Sequence, residues 1–123
     1  MNQTILIVDD DPVVRELVSE YLHGRGFNVT TLENGLALQR RLQHERPALV
    51  VLDIMMPERD GYETASALRR YLPTHSLGIV AFTSLDEDHV KETGRERHNF
   101  DGYCQKGTAP TTLLALLRGL WRG

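Results

Sequence analysis

The sequence has a single cysteine, Cys104, among 123 residues. That excludes an intrachain disulfide and a zinc site built on clustered cysteines, and it fits a reducing cytosol. Cys104 itself reads as a small residue within a strand. Long apolar runs are also missing: none approaches the roughly 18 residues of a membrane span, and Met1–Thr4 lacks the basic segment of a secretory leader. A cytoplasmic location with no membrane partner is expected. Basic charge is scarce too, with 14 Lys and Arg against 17 Asp and Glu and a formal net charge of -3. No electrostatic footprint for nucleic acid is present, so a DNA-binding role would need another chain. There is neither a linker nor a low-complexity tract, which leaves one domain over residues 1–123.

What is present is a regular alternation of apolar runs and amphipathic stretches, which predicts five βα units. Strands are expected at Thr4–Val8, Asn28–Leu32, Leu49–Leu52, Gly78–Phe82 and Gly102–Gln105. The first, third and fourth are rich in Ile, Val and Leu without polar alternation, as in parallel strands covered on both faces. They are expected at the centre of the sheet. Between them, Pro12–Arg25 carries Val14, Leu17, Val18, Tyr21 and Leu22 at helical spacing, with Pro12 suited to a first helical position after an Asp cap. Helices are also expected at about Leu36–Glu45, with Leu36, Leu38 and Leu42, at about Tyr62–Tyr71, and at about Thr111–Leu120. The apolar residues of these helices read as core. A further helix over Leu85–Asn99 has Val90 as almost its only interior apolar residue, so its packing energy is expected to be small.

Two apolar runs end in carboxylates: ILIVDDD closes on Asp9, Asp10 and Asp11, and LVVLD closes on Asp53. If the two strands are parallel neighbours, their carboxyl ends share the edge at which open α/β sheets bind ligands. With about 5 Å between charges and an effective dielectric near 20, each pair costs roughly 3 kcal/mol. Either a proton raises one pKa, or a cation fills the gap. The hard-oxygen donors, with no His or Cys beside them in sequence, favour Mg²⁺. Such a site would recruit a phosphoryl group. Thr83, after the fourth apolar run, and Lys106, after the fifth, would each suit a phosphoryl oxygen. The carboxylate free to attack then forms an aspartyl phosphate.

IVDDD, LDIMMPERDGYE, AFTS and YCQK, in this order and spacing, resemble the receiver domain of bacterial two-component response regulators. The resemblance covers essentially the whole chain. It implies a flavodoxin-like (βα)5 fold, a doubly wound parallel sheet of order 2-1-3-4-5. It also implies that Asp53 accepts a phosphoryl group from a sensor histidine kinase or phosphotransfer protein, by self-catalysed transfer and not as a turnover enzyme. Asp10, Asp53 and the Met55 carbonyl would bind Mg²⁺ directly, and Asp9 through water. Asp11 is left over and reads as a helix cap. Lys106 matches the phosphate-pairing lysine, Thr83 the switch hydroxyl, and Tyr103 the aromatic switch that turns inward when Thr83 moves. The responding surface would be the helix at 85–99, the fifth strand and the final helix. It would serve a downstream output protein or domain, with a homodimer as one arrangement.

The match departs from the family at Gly107, where proline usually follows the lysine; a trans bond and a looser loop are expected. The polar stretch at 85–99 is the second departure. Met55 and Leu85, each two residues beyond a matched site residue, offer hydrolytic water no hydrogen bond, which predicts slow loss of the phosphoryl group. Pro57 and Gly61 would set a tight loop after Asp53, with Gly61 permitting positive φ and Asp60 capping the third helix, and this loop would keep the nucleophile exposed. Two other readings stay open: a receiver-like interaction module that takes no phosphate, and a small aspartate-nucleophile phosphatase. Against the phosphatase, Met55 stands where a second Asp is generally needed.

Overall fold

In the computed structural model, residues 4–56, 60–71, 74, 77–86 and 99–121 are described. Five parallel strands form one sheet in the order β2-β1-β3-β4-β5: β1 (Thr4–Val8), β2 (Asn28–Leu32), β3 (Leu49–Asp53), β4 (Gly78–Thr83) and β5 (Gly102–Gln105). Four helices accompany them: α1 (Pro12–His23), α2 (Gly35–Leu42), α3 (Gly61–Arg70) and α4 (Pro110–Leu120). This is the expected flavodoxin-like arrangement. The helix expected between Leu85 and Asn99 falls on 87–98, outside the described residues, as does Pro57.

Side chains alternate between the two faces of a strand, and both faces of the central strands are apolar. Ile5, Ile7, Leu49, Val51, Val80 and Phe82 pack with Leu22 of α1 and with Leu113, Leu114 and Leu117 of α4. Leu6, Val8, Val50, Leu52 and Ile79 pack the opposite way, against Leu38 and Leu42 of α2 and Ala65 and Leu68 of α3. Cys104 is buried in the first cluster, and burial pushes its thiol pKa up, which marks a core residue and not a reactive one.

The helix starts follow from short polar side chains. Asp11, Asn34 and Asp60 each stand before a helix and accept a backbone N–H of its first turn, from Val13 at 2.9 Å, Ala37 at 2.8 Å and Glu63 at 2.9 Å. Two expected core residues are not core: Leu17 is 62% exposed and Leu36 is 52% exposed. Both lie on the outward flank of helices whose inward stripe is already filled by Leu22, and by Leu38 and Leu42. On α3, Arg69 donates through Nε to the Asn99 carbonyl at 3.0 Å and through a terminal nitrogen to Asp101 at 2.8 Å. Asp101 also accepts the Ile79 N–H at 2.8 Å, so one network ties α3 to the start of β4 and the entry to β5.

Candidate functional site

Register and the two-residue side-chain period bring the carboxylates together. Ile7 pairs with Val51 and Val8 with Leu52. One step further along both strands, Asp9 and Asp53 come opposite each other at the carboxyl edge, on the same face as Ile7 and Val51. Because β2 lies on one side of β1 and β3 on the other, this edge is also the point where the winding of the sheet reverses. Carboxylate oxygens of Asp9, Asp10 and Asp53 all lie within 4.8 Å of one another. Asp9 and Asp53 are buried; Asp10 is exposed.

Lys106 enters from the end of β5. Its Nζ stands 2.6 Å from Asp9 Oδ2 and 3.4 Å from Asp53 Oδ2. The Asp9 contact is one of charge, since that fully buried Oδ2 accepts no hydrogen bond of ordinary geometry among the described residues. Burial, and then the charge of Asp9, push the Asp53 carboxyl up to about 6, against the pull of Lys106 and the Met55 N–H. For Lys106, burial alone would lower the pKa, but its contact with Asp9 and the charges of both carboxylates outweigh burial and hold it above the ordinary value. One ammonium therefore leaves the three acids under-compensated. The donor set is all hard oxygen, gathered within 4.8 Å, which fits Mg²⁺.

The loop after β3 differs from expectation in two respects. Asp53 is not exposed: its side chain is 2% accessible, beneath Lys106 and beside the Met55 backbone, whose N–H donates to Asp53 Oδ1 at 3.0 Å. Gly61 does not use positive φ, which among the described glycines only Gly26 and Gly107 adopt. Gly61 is needed for closeness instead, because a Cβ there would lie 2.5 Å from the Asp53 carbonyl oxygen and 2.7 Å from Ile54 Cα. Gly107 has φ 90, a conformation closed to proline, and no cis peptide bond occurs among the described residues. The departure from proline thus gives the Lys106 loop a left-handed turn, closed by the Thr108 N–H on the Gln105 carbonyl.

Thr83 is fully buried, and its Oγ1 accepts the Leu85 N–H at 3.2 Å. Tyr103 rests against the cluster of Ile54, Tyr62 and Ala81, and its hydroxyl donates to the Leu85 carbonyl. Both expected switch residues are therefore held by the backbone of one residue. Met55 is 57% exposed, whereas Leu85 packs beside Tyr103. Arg15 was not singled out by the sequence reading. Its guanidinium donates to the Asp9 carbonyl at 2.6 Å, and the only signal for it is a basic residue in the first turn of a helix.

A sheet of this order that gathers acids and a lysine at its switch point is of the doubly wound α/β class, and the acidic cluster fits a phosphorylation site. Comparison with known proteins specifies the class further. The chain belongs to the response regulator receiver domain family, whose model matches residues 5–118, and is a receiver domain of the two-component type. It is 32% identical over 120 residues to the transcriptional regulatory protein GltR of Pseudomonas aeruginosa, covering 98% of this chain and 49% of that protein. The chain thus spans about half the length of such curated relatives. Among solved structures it is similar to the BeF3-activated N-terminal receiver domain of Klebsiella pneumoniae RstA, with 35% identity and TM-score 0.84 over 98% of this chain and 99% of that one. It is also similar to the response regulator TrrA of Thermotoga maritima in complex with Mg²⁺ and BeF, with 29% identity and TM-score 0.84 over 98% of this chain and 99% of that one. Among the described residues no helix is long and apolar enough to cross a membrane.

Proposed function

We propose that Asp53 is the phosphoacceptor, taking its phosphoryl group from the phosphohistidine of a sensor kinase or phosphotransfer protein. The observation that carries this reading is the Asp53 carboxyl, buried, pushed up to about 6, and 3.4 Å from Lys106. An Asp53 carboxylate oxygen attacks phosphorus, the P–N bond breaks, and its electron pair stays on the imidazole nitrogen. The product is an acyl phosphate on Asp53. Asp10, Asp53 and the Met55 carbonyl would hold Mg²⁺ directly and Asp9 through water. When bound, that ion neutralises charge and orients phosphoryl oxygens. Lys106 moves from its carboxylate partners to a phosphoryl oxygen, and Thr83 gives up the Leu85 N–H to donate its own hydroxyl.

Phosphorylation adds about -1.5 to -2 charges at neutral pH. Thr83 and Tyr103 then bias the segment from 85 to 99, β5 and α4, the surface for an output partner or domain. The partner that brings phosphohistidine has a suitable surface beside the site: an apolar groove of about 230 Å³ lined by Val14, Leu17, Val18, Phe82, Lys106 and Pro110. The exposed Leu17 is accounted for by that role. A cytoplasmic site of action is part of the same proposal.

The test is incubation with a small phosphodonor and Mg²⁺, read by intact mass. The expected result is one hydroxylamine-sensitive phosphoryl group per chain, lost in Asp53→Asn and absent without divalent ion. Multiple turnover of a small phosphoester would indicate a phosphatase, and no labelling with no metal binding would indicate a module that takes no phosphate. Met55 and Leu85 leave hydrolytic water without a polar side chain, so replacing both with polar residues is expected to shorten the phosphoryl lifetime. An unchanged decay would remove that reading.

A further inference from the structure

The exposed Asp10 is the least anchored of the three acids by burial, yet its backbone is held on both sides. The carbonyl of the Asp9–Asp10 peptide accepts the Arg15 guanidinium at 2.6 Å. The N–H of the Asp10–Asp11 peptide donates to Asp9 Oδ1 at 2.9 Å. Upstream, the Asp9 N–H donates to the Leu32 carbonyl of β2 at 3.1 Å. Both peptide planes flanking Asp10 are therefore pinned, one by the neighbouring Asp9 carboxylate and the other by a side chain that comes from α1, Arg15.

The position of that side chain is not explained by the helix it belongs to. Arg15 lies in the opening turn of α1, which contains no acidic residue, and its N–H makes the first helical bond to the Asp11 carbonyl. A cation there opposes the helix dipole. Helical side chains lean toward the N-terminus, and this one reaches back past it to the strand end.

We infer that Arg15 is a positioning residue that sets the Asp9–Asp10 peptide so that the Asp10 carboxylate is already aimed at the divalent ion before it binds. The inference rests on reading Asp9, Asp10 and Asp53 as that ion's site. Fixing the loop in the apo protein removes an ordering cost from the binding step.

The sign of the effect separates this role from plain electrostatics. Arg15 is a cation beside a cation site, so deleting its charge would by itself strengthen Mg²⁺ binding. Loss of positioning would weaken it. The experiment is calorimetric titration of MgCl₂ into the wild type and Arg15→Gln, with the fold checked by circular dichroism. The expected result is roughly tenfold weaker binding in the variant, at the low end of what removing outer-shell partners of metal ligands costs. In metal-free protein, the Asp11 amide is expected to exchange severalfold faster in Arg15→Gln, a readout that needs no ion. Equal or tighter Mg²⁺ binding in the variant overturns the inference. A wild type that binds no Mg²⁺ overturns the metal site itself, and the role of Arg15 with it.

Discussion

The energetic cost of the site is concentrated in Asp53. Its folded pKa of about 6 lies above the 3.8 of an unperturbed carboxylate, so between those values the folded state binds more protons than the unfolded one. Stability therefore falls as pH rises from about 4 to about 6, and above that the ionised Asp53 costs on the order of 3 kcal/mol. Asp53→Asn removes the charge but keeps the shape. It is expected to stabilise the metal-free protein at pH 7.5 by about 1–3 kcal/mol, the lower part of that range reflecting the partner lost to Lys106. The gain should fade toward pH 4. Urea unfolding across this range checks it, and a pH-independent difference would contradict the assignment. That Asp9, Asp10, Asp53 and Lys106 would meet at one edge was legible because each ends or closely follows a strand. Arg15 was not legible, because its importance depends on a carbonyl that no residue type encodes.

At the scale of elements, the five strands and the four described helices were legible, since unbroken apolar runs and helical spacing alternate regularly along this chain. The ends were less so. β3 and β4 each run one residue further than expected, because Asp53 still pairs with Phe82 and Thr83 with Gln105. Pairing depends on the neighbour, and the neighbour is remote in sequence. The Arg69–Asp101 contact was invisible for the same reason. The two loop glycines can be ranked by cause. A Cβ at Gly107 would meet nothing within 4 Å, so Gly107→Ala costs only backbone strain, about 1–2 kcal/mol. At Gly61 the added methyl meets the Asp53 carbonyl, and the backbone must move. Gly61→Ala is expected to be the more damaging in urea unfolding and to depress phosphorylation as well, and the reverse order would show that the β3–α3 loop is softer than its contacts imply. Gly107→Pro should exceed Gly107→Ala, because proline cannot adopt the turn's positive φ.

Taken whole, the molecule has its helices shared between two faces and every acid, amine and hydroxyl of the site at one edge. The β2 side of that edge holds Asp9 through a backbone bond to Leu32, whereas the β4 and β5 side carries Thr83, Tyr103 and Lys106. Loading with Mg²⁺ and beryllofluoride is therefore expected to change amide exchange at 83–86 and 102–106 while leaving β2 unaltered. Equal change in both halves, or none, would refute a directional response. The hydrogen-bonded link between Thr83 and Tyr103 runs through the N–H and C=O of residue 85, while its side chain packs beside Tyr103. In wiring terms, the leucine is insulation and the main chain is the conductor. Any residue at 85 that keeps its main-chain hydrogen leaves the circuit closed, and proline, with none to give Thr83, would cut it.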